Sequence, residues 1–364
     1  MSKALLALED GTTVAGKGLG KPGISTGELV FTTTFTGYEE SLTDPSYKGQ
    51  NLMFTYPLIG NYGFHYRSAQ SESIQAEGVV VREACKSPSH RDSKISLDNY
   101  LRENGSRGIA GIDSRALTVK IREQGTVKSA IAVGNHSKQE VIEAAINQPA
   151  ITEMDLIPEV TTQNLKILEG PGPRLGVIDT GTKKNILSNL SNKGFELVLF
   201  PYQTDISKIK EYQLDGLFFT NGPGDPKKTD HAQKIVKHFL GKIPIFGICF
   251  GAQIISLALG GDTYKLKFGH RGANQPVLNQ ETGIVGITAQ NHGFAISEES
   301  LGNTPLMVTE TNAIDGTVEA IESRTHNTFA VQYHPEGSPG PKDKESWFFE
   351  KVAQLTMASN AKKN

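Results

Sequence analysis

The chain has 364 residues, of which 37% are hydrophobic and 21% charged, enough apolar side chains for about two cores at the usual ~150 residues per domain. That composition excludes a disordered chain, and a formal net charge of −2 supplies no field to gather a phosphate backbone, so no nucleic-acid partner is expected. No run approaches the ~20 apolar residues of a membrane span, so no membrane partner is expected either.

The start, MSKALLALEDGTT, lacks the charged and then apolar stretch of a signal peptide, and the two cysteines, Cys85 and Cys249, lie far apart. A cytoplasmic protein is therefore expected, with the sequons at Asn104 and Asn135 idle. The only charged tail is the short Lys362-Lys363 end. Taken in chain order, residues 1–150 read as a β-rich α+β domain with a large sheet, built from short runs such as Gly27–Phe35 broken by Gly and Pro. Amphipathic spacing predicts helices over Ser114–Gln124 and Lys138–Ile146. Residues 151–172 are poorly periodic, end in Gly170-Pro-Gly-Pro173, and read as a linker.

From residue 173 to 364 the rhythm becomes strand, turn, helix. Strands are predicted over Arg174–Ile178, Glu196–Phe200, Gly216–Thr220 and Ile243–Ile248, with helices over Lys183–Lys193, His231–Leu240 and Ala252–Leu259. Such alternation predicts an α/β domain with a mainly parallel sheet flanked by helices. Short strands follow Gly260, with a hairpin signal at Asp315-Gly316, a last strand Phe329–Tyr333 and a closing helix Ser346–Met357.

The strongest chemical signal is Gly247-Ile-Cys249-Phe-Gly251, where an apolar strand runs straight into a helix. It has the form of a nucleophile elbow, whose tight bend needs glycines on either side and thrusts the nucleophile above the sheet. A thiol there meets the positive end of the helix dipole, which favours thiolate. An isolated cysteine is more often a small buried hydrophobe; the strand-to-helix context and the two glycines argue for the nucleophile.

A thiolate acyl-transfer enzyme needs a base that also protonates the leaving amine. Among nine histidines, His334 stands at the end of the apolar run Phe329-Ala-Val-Gln-Tyr333, at the rim where open α/β sheets bind ligands. Glu336, two residues on, can take the other imidazole N–H. The loop Thr220-Asn-Gly-Pro-Gly-Asp-Pro226 follows a further apolar strand. On its own it is good turn chemistry, but its Gly222 N–H, with that of Phe250, could form an oxyanion hole.

Elbow, loop and His-Pro-Glu together resemble the class I (triad) glutamine amidotransferases from about Pro173 onward. Within that superfamily the chain resembles the small subunits of carbamoyl-phosphate synthetase. The first domain carries that likeness, in Phe35-Thr-Gly-Tyr-Glu-Glu-Ser-Leu-Thr-Asp-Pro-Ser-Tyr47, Thr55-Tyr-Pro-Leu-Ile-Gly-Asn-Tyr-Gly63 and Gly111-Ile-Asp-Ser-Arg-Ala-Leu-Thr118. Lys267-Phe-Gly-His-Arg-Gly-Ala-Asn274 and Gln290-Asn-His-Gly-Phe-Ala295 agree with it. The family often carries His or Asn where Ala252 stands, and glycine within Lys128-Ser-Ala130.

The resemblance implies a Cys249, His334 and Glu336 triad, with glutamine held by Ser46, Gly222, Gly224, Phe250, Gln253, Asn291, Gly293 and Phe294. It also implies ammonia delivered to a large subunit that makes carbamoyl phosphate from bicarbonate with ATP and magnesium, for arginine and pyrimidine synthesis. No cofactor is expected in this chain itself. Three other readings are a free γ-glutamyl hydrolase, a non-catalytic regulatory subunit and an ammonia donor to another synthase. The first-domain motifs speak against the first and last of these, and the retained triad against the second.

Two near-motifs are set aside. Gly11-Thr-Thr-Val-Ala-Gly-Lys17-Gly18 lacks the Ser or Thr that a P-loop places after its lysine, and reads as a glycine-rich turn between strands. Asp179-Thr-Gly181 occurs once, whereas aspartic-protease chemistry needs two such carboxylates, so it reads as a strand-to-helix turn. His65, His270 and His292 show no zinc-site spacing and no metal is expected; His270 and His292 read as satisfied polar histidines near the cleft.

Overall fold

The computed structural model describes residues 2–361, so the Lys362-Lys363 end lies outside the described residues. The chain divides into two compact units, Met1–Met154 and Asp155–Asn364.

The first unit contains β1 (Lys3–Leu8), β2 (Thr13–Gly20), β3 (Gly23–Thr32), α1 (Tyr38–Leu42), β4 (Gln50–Phe54), β5 (Leu58–Ile59), β6 (Gly78–Val81), β7 (Glu83–Ala84), α2 (Leu97–Glu103), β8 (Arg107–Ala110), α3 (Ser114–Gln124), β9 (Val127–Val133) and α4 (Lys138–Asn147). Seven strands close into a barrel in the order β1-β2-β8-β6-β4-β3-β9, so the expected large sheet has no free edge. The glycine-rich stretch expected to be a turn is strand β2. A Cβ on Gly16 would lie 2.5 Å from the Ala110 carbonyl oxygen, and one on Gly18 would lie 2.7 Å from Val133 Cγ1. These glycines allow close strand packing rather than a bend. Helix α3 begins at its expected residue because Asp113 caps it, accepting the Ala116 N–H at 3.0 Å. Two of the quoted motifs meet where Tyr38 stacks on Tyr62, ring centroids 4.1 Å apart.

The second unit contains α5 (Ile157–Val160), β10 (Lys166–Leu168), β11 (Arg174–Asp179), α6 (Lys184–Asn192), β12 (Glu196–Pro201), α7 (Ile206–Lys210), β13 (Gly216–Phe219), α8 (Asp230–Phe239), β14 (Ile245–Ile248), α9 (Phe250–Ala258), β15 (Thr263–Asn279), β16 (Val285–Ile296), β17 (Met307–Asn312), β18 (Val318–Ser323), β19 (Thr328–Val331) and α10 (Glu345–Ala361). Its ten-stranded sheet runs β10-β12-β11-β13-β14-β19-β18-β17-β15-β16. The stretch 151–172 is not bare linker: it holds α5, and β10 pairs antiparallel with β12. All three β10 residues are exposed, so the alternation that would reveal a half-buried strand is absent.

Strands β12, β11, β13, β14 and β19 are mutually parallel, and both of their faces are covered, as their unbroken apolar runs require. Leu217, Phe219, Ile245 and Ala330 join α8 and α9 in one core. The alternate residues Phe218, Phe246, Ile248, Phe329 and Val331 join α6 and α10 in the other. Parallel strands bring their C-terminal ends to one rim, and from that rim come the β11 turn, the β13 loop, Cys249 and the segment after β19. The Asp315-Gly316 signal falls between antiparallel β17 and β18, with Gly316 at φ +76°.

A Cβ on Gly251 would lie 2.1 Å from the Phe219 carbonyl oxygen, a backbone clash that no rotamer relieves. Gly251→Ala is expected to cost about 3 kcal/mol, lowering the melting temperature by roughly 6–12 °C. Thermal denaturation of the purified variant checks this, and an unchanged transition would contradict the packing.

Candidate active site

Cys249 links β14 to α9 with φ 54° and ψ −102°, a backbone state that a residue bearing a side chain adopts only when its surroundings impose it. Its N–H donates to the Val331 carbonyl at 2.7 Å, tying the bend to β19. The flanking glycines are sterically required: a Cβ on Gly247 would lie 2.7 Å from the Gly251 carbonyl carbon. The thiol is buried, donates to the Asn291 carbonyl at 3.7 Å and receives Gln332 Nε2 at 3.5 Å.

His334 leaves the end of β19 and is held by its own N–H to the Ala289 carbonyl at 2.8 Å. Its Nδ1–H donates to Glu336 Oε1 at 2.6 Å, while Nε2 has no hydrogen-bond partner. The imidazole is thereby fixed in the tautomer that leaves Nε2 for the thiol. The same carboxylate oxygen is paired with Lys183 Nζ at 2.8 Å, and Lys183 also donates to the Gly337 carbonyl at 2.7 Å. Glu336, Lys183 and His334 are 0%, 2% and 2% exposed, so these charges interact in a dry setting.

Burial opposes charge on Glu336, but Lys183 and His334 overcome it and hold the carboxyl down at about 2. Burial likewise pulls His334 down, yet Glu336, helped by Cys249 and opposed by Lys183, carries it up to about 10. The arrangement favours imidazolium, and hence proton acceptance from the thiol.

Lys183 is absent from the sequence-predicted site. It stands just before α6, at the end of a turn in which Asp179 Oδ1 accepts the Gly181 and Thr182 N–H groups at 3.0 and 2.8 Å. That turn is the one expected at Asp179-Thr-Gly181. Its neighbour across the rim is the β13 loop, where Asn221 Oδ1 accepts the Lys183 N–H at 3.1 Å. A lysine one residue before a helix reads as solvent-exposed, and no local signal marks it as buried.

The other predicted residues of this unit fall as follows. Gly222 leaves no room for a side chain: a Cβ would lie 2.3 Å from the Thr180 carbonyl oxygen and 3.2 Å from the Phe250 ring. Gly222 and Phe250 are thus adjacent, and Phe250 opens α9, where the N–H groups have no partner within the helix. Gly224 has φ +89°. Gln253 is buried and donates through Nε2 to the Phe294 carbonyl at 2.8 Å and Gln332 Oε1 at 3.0 Å. Asn291, Gly293 and Phe294 lie along β16, and a Cβ on Gly293 would stand 3.1 Å from the Arg271 guanidinium. Ala252 is fully buried in the core under α8 and α9. Ser46 belongs to the first unit, where it is buried in a single 3-10 turn with its N–H on Asp44 Oδ1 at 2.9 Å.

His270 and His292, distant from any zinc-like spacing in sequence, face each other across β15 and β16, ring centroids 5.0 Å apart. Buried Glu319 of β18 completes a group whose nitrogen and oxygen atoms lie within 4.8 Å of one another. Burial depresses His292 well below the usual imidazole range and pushes Glu319 up to about 8.

A mainly parallel sheet with a cysteine elbow and a His-Glu pair just past the neighbouring strand defines a class I glutamine amidotransferase domain. The family model described as "Glutamine amidotransferase class-I" matches residues 176–354. A second, "Carbamoyl-phosphate synthase small chain, CPSase domain", matches residues 6–131. Relatives named carbamoyl phosphate synthase small chain align over nearly the full chain. That of Methanosarcina mazei is 49% identical, covering 97% of this chain and 98% of its own. That of Methanopyrus kandleri is 44% identical (97% and 99%), and that of Clostridium acetobutylicum 43% (97% and 100%). The chain belongs to the carbamoyl phosphate synthase small chain family.

The raised His334 supplies stability that is complete below its ordinary value of 6.5 and lost as pH rises through about 10. The lowered Glu336 supplies stability that is complete above 4.5 and lost as pH falls through about 2. The gap in melting temperature between wild type and His334→Gln should therefore hold steady from about pH 4.5 to 6.5 and narrow toward pH 10. Thermal denaturation across that range checks the sign, and a gap that widens with pH would contradict it. Lys183→Met, which leaves the buried Glu336 carboxylate one cation short, is expected to cost about 3 kcal/mol or more in urea denaturation.

Proposed function

We propose that this chain is the glutamine-hydrolysing subunit of a carbamoyl phosphate synthase, with Cys249 as nucleophile, His334 as general acid and base, and Glu336 as the group that orients His334. The observation that carries this reading is the buried Glu336–His334 hydrogen bond of 2.6 Å, which leaves Nε2 unpartnered beside a thiol held on a strained elbow.

In the first step His334 Nε2 takes the thiol proton and sulfur attacks the side-chain amide carbon of glutamine. The negative charge that develops on the amide oxygen meets the N–H groups of Gly222 and Phe250. Collapse breaks the C–N bond, and His334 returns the proton to nitrogen, releasing ammonia and leaving a γ-glutamyl thioester. Water then attacks that carbonyl carbon, giving its proton to His334, and the sulfur departs as thiolate while glutamate is released. Gly224, Gln253, Asn291, Gly293 and Phe294 are proposed to hold the α-amino and α-carboxyl groups, which a selective site must pair.

Ammonia protonates in neutral water and loses its nucleophilicity, which favours hand-over to a large subunit. That partner would supply the ATP and magnesium sites and make carbamoyl phosphate from bicarbonate, toward arginine and pyrimidines. The near-complete coverage of the small-chain relatives, first unit included, supports this partner over a free hydrolase.

Ammonia release from glutamine should rise when a carbamoyl phosphate synthase large subunit is added. It should fall by roughly 10³-fold or more in Cys249→Ser and in His334→Gln. Activity that is equally high without the partner would favour the free hydrolase, and an unaffected Cys249→Ser would remove the assignment of the nucleophile.

A further inference from the structure

The His270, His292 and Glu319 cluster has a particular arrangement of satisfied and unsatisfied atoms. Nε2 of His270 is hydrogen-bonded to Asp315 at 2.8 Å, while its Nδ1 has no hydrogen-bond partner. Nδ1–H of His292 donates to the Phe294 carbonyl at 2.7 Å, which makes its Nε2 an acceptor. That Nε2 nevertheless faces Gln290 Oε1, another acceptor, at 3.1 Å. Glu319 Oε1 receives Gln290 Nε2 at 2.8 Å and Asn312 Nδ2 at 3.3 Å, while Oε2 is buried without a partner in a side chain of 0% exposure.

His270 and Glu319 thus each have the outer atom anchored and the inner atom without a partner, while the inner nitrogen of His292 meets only the Gln290 amide oxygen. Buried polar atoms without partners cost free energy, and lone pairs converging from two imidazoles, a carboxylate and an amide call for a positive centre. Outer-atom anchoring by a carboxylate or a backbone carbonyl is how proteins fix the tautomer of metal-binding histidines. Two imidazoles with one carboxylate select borderline-soft dications, whereas magnesium and calcium prefer oxygen alone.

We propose that His270 Nδ1, His292 Nε2 and a Glu319 carboxylate oxygen, with Gln290 Oε1 as an auxiliary donor, bind one transition-metal dication of the zinc(II) class. An ion about 2.1 Å from each donor sets tetrahedral donors roughly 3.4 Å apart, so the cluster contracts by about 1 Å on binding. Asn291 and Gly293 flank His292, and the Asn291 carbonyl faces the Cys249 thiol. Occupancy therefore fixes the strand that borders the nucleophile.

The test is titration of the chelator-stripped full-length chain with cobalt(II), read by visible absorption, and with zinc(II), read by calorimetry. It is carried out in the Cys249→Ser background so that the catalytic thiol cannot act as ligand. One equivalent should bind with micromolar or tighter affinity and with no sulfur-to-cobalt charge-transfer band. His270→Ala should weaken binding by about 100-fold, and Asp315→Asn, which alters only the outer anchor, by about tenfold. Asp315 is partly exposed, so the second variant decides the matter should the first fail to fold. Absence of stoichiometric uptake overturns the proposal, as does uptake that neither variant weakens.

Discussion

A carboxylate with no exposed surface holds this site together. Glu336 is stable as an anion only because Lys183 and His334 both reach it, through one oxygen, at 2.8 and 2.6 Å. Removing charges from water costs several kcal/mol each, repaid only when geometry is close and hydrogen bonds are added. The turn after β11 and the segment after β19 are therefore locked at the same place. Lys183 is further pinned by the Gly337 carbonyl, so the backbone beyond Glu336 shares in the same constraint.

Sheet order explains why distant segments meet there. Strands β11, β13, β14 and β19 are consecutive neighbours and parallel, so every one of their C-terminal ends opens on a single rim. The elbow is the tightest of these exits. Its glycines touch backbone atoms of Phe219 and of α9 itself, and the positive φ of Cys249 is sustained by the buried strands on either side rather than by local preference.

Features set by local stereochemistry and spacing were legible in the sequence: the elbow glycines, the ends of α3, the Asp315-Gly316 turn and the His-Pro-Glu string. Features set by pairing between distant segments were not. Closure of the barrel depends on which of seven strands meet, and a glycine-rich run that reads as a turn is a strand because its neighbours approach too closely for side chains. Strand β10 carries no alternation because both of its sides are exposed. Lys183 is a buried cation whose partner lies at the other end of the domain. His270 and His292 become neighbours only through the register of β15 and β16, beside irregular steps on either side of His270–Gly272, which re-aim side chains as bulges do.

The segment Gln290–Phe294 of β16 connects the surroundings of Cys249 and His334 to the rest of the antiparallel sheet. The Phe294 carbonyl receives both Gln253 Nε2 and His292 Nδ1, and Gln253 continues to Gln332, whose Nε2 touches the Cys249 sulfur. The thiol is therefore bounded by the β16 backbone and by the Gln332 side chain, just past β19, that is itself referred back to β16. A carbonyl 3.7 Å away is a weak acceptor for S–H, whereas an imidazole nitrogen left unpartnered in a dry site carries a desolvation cost of about 1–3 kcal/mol. Transfer of the proton, or donation from a substrate, relieves that cost. The same burial that makes the trio of charges expensive to assemble thus leaves His334 Nε2 near the sulfur, which helps to hold the imidazolium charge, with no other partner to compete for it.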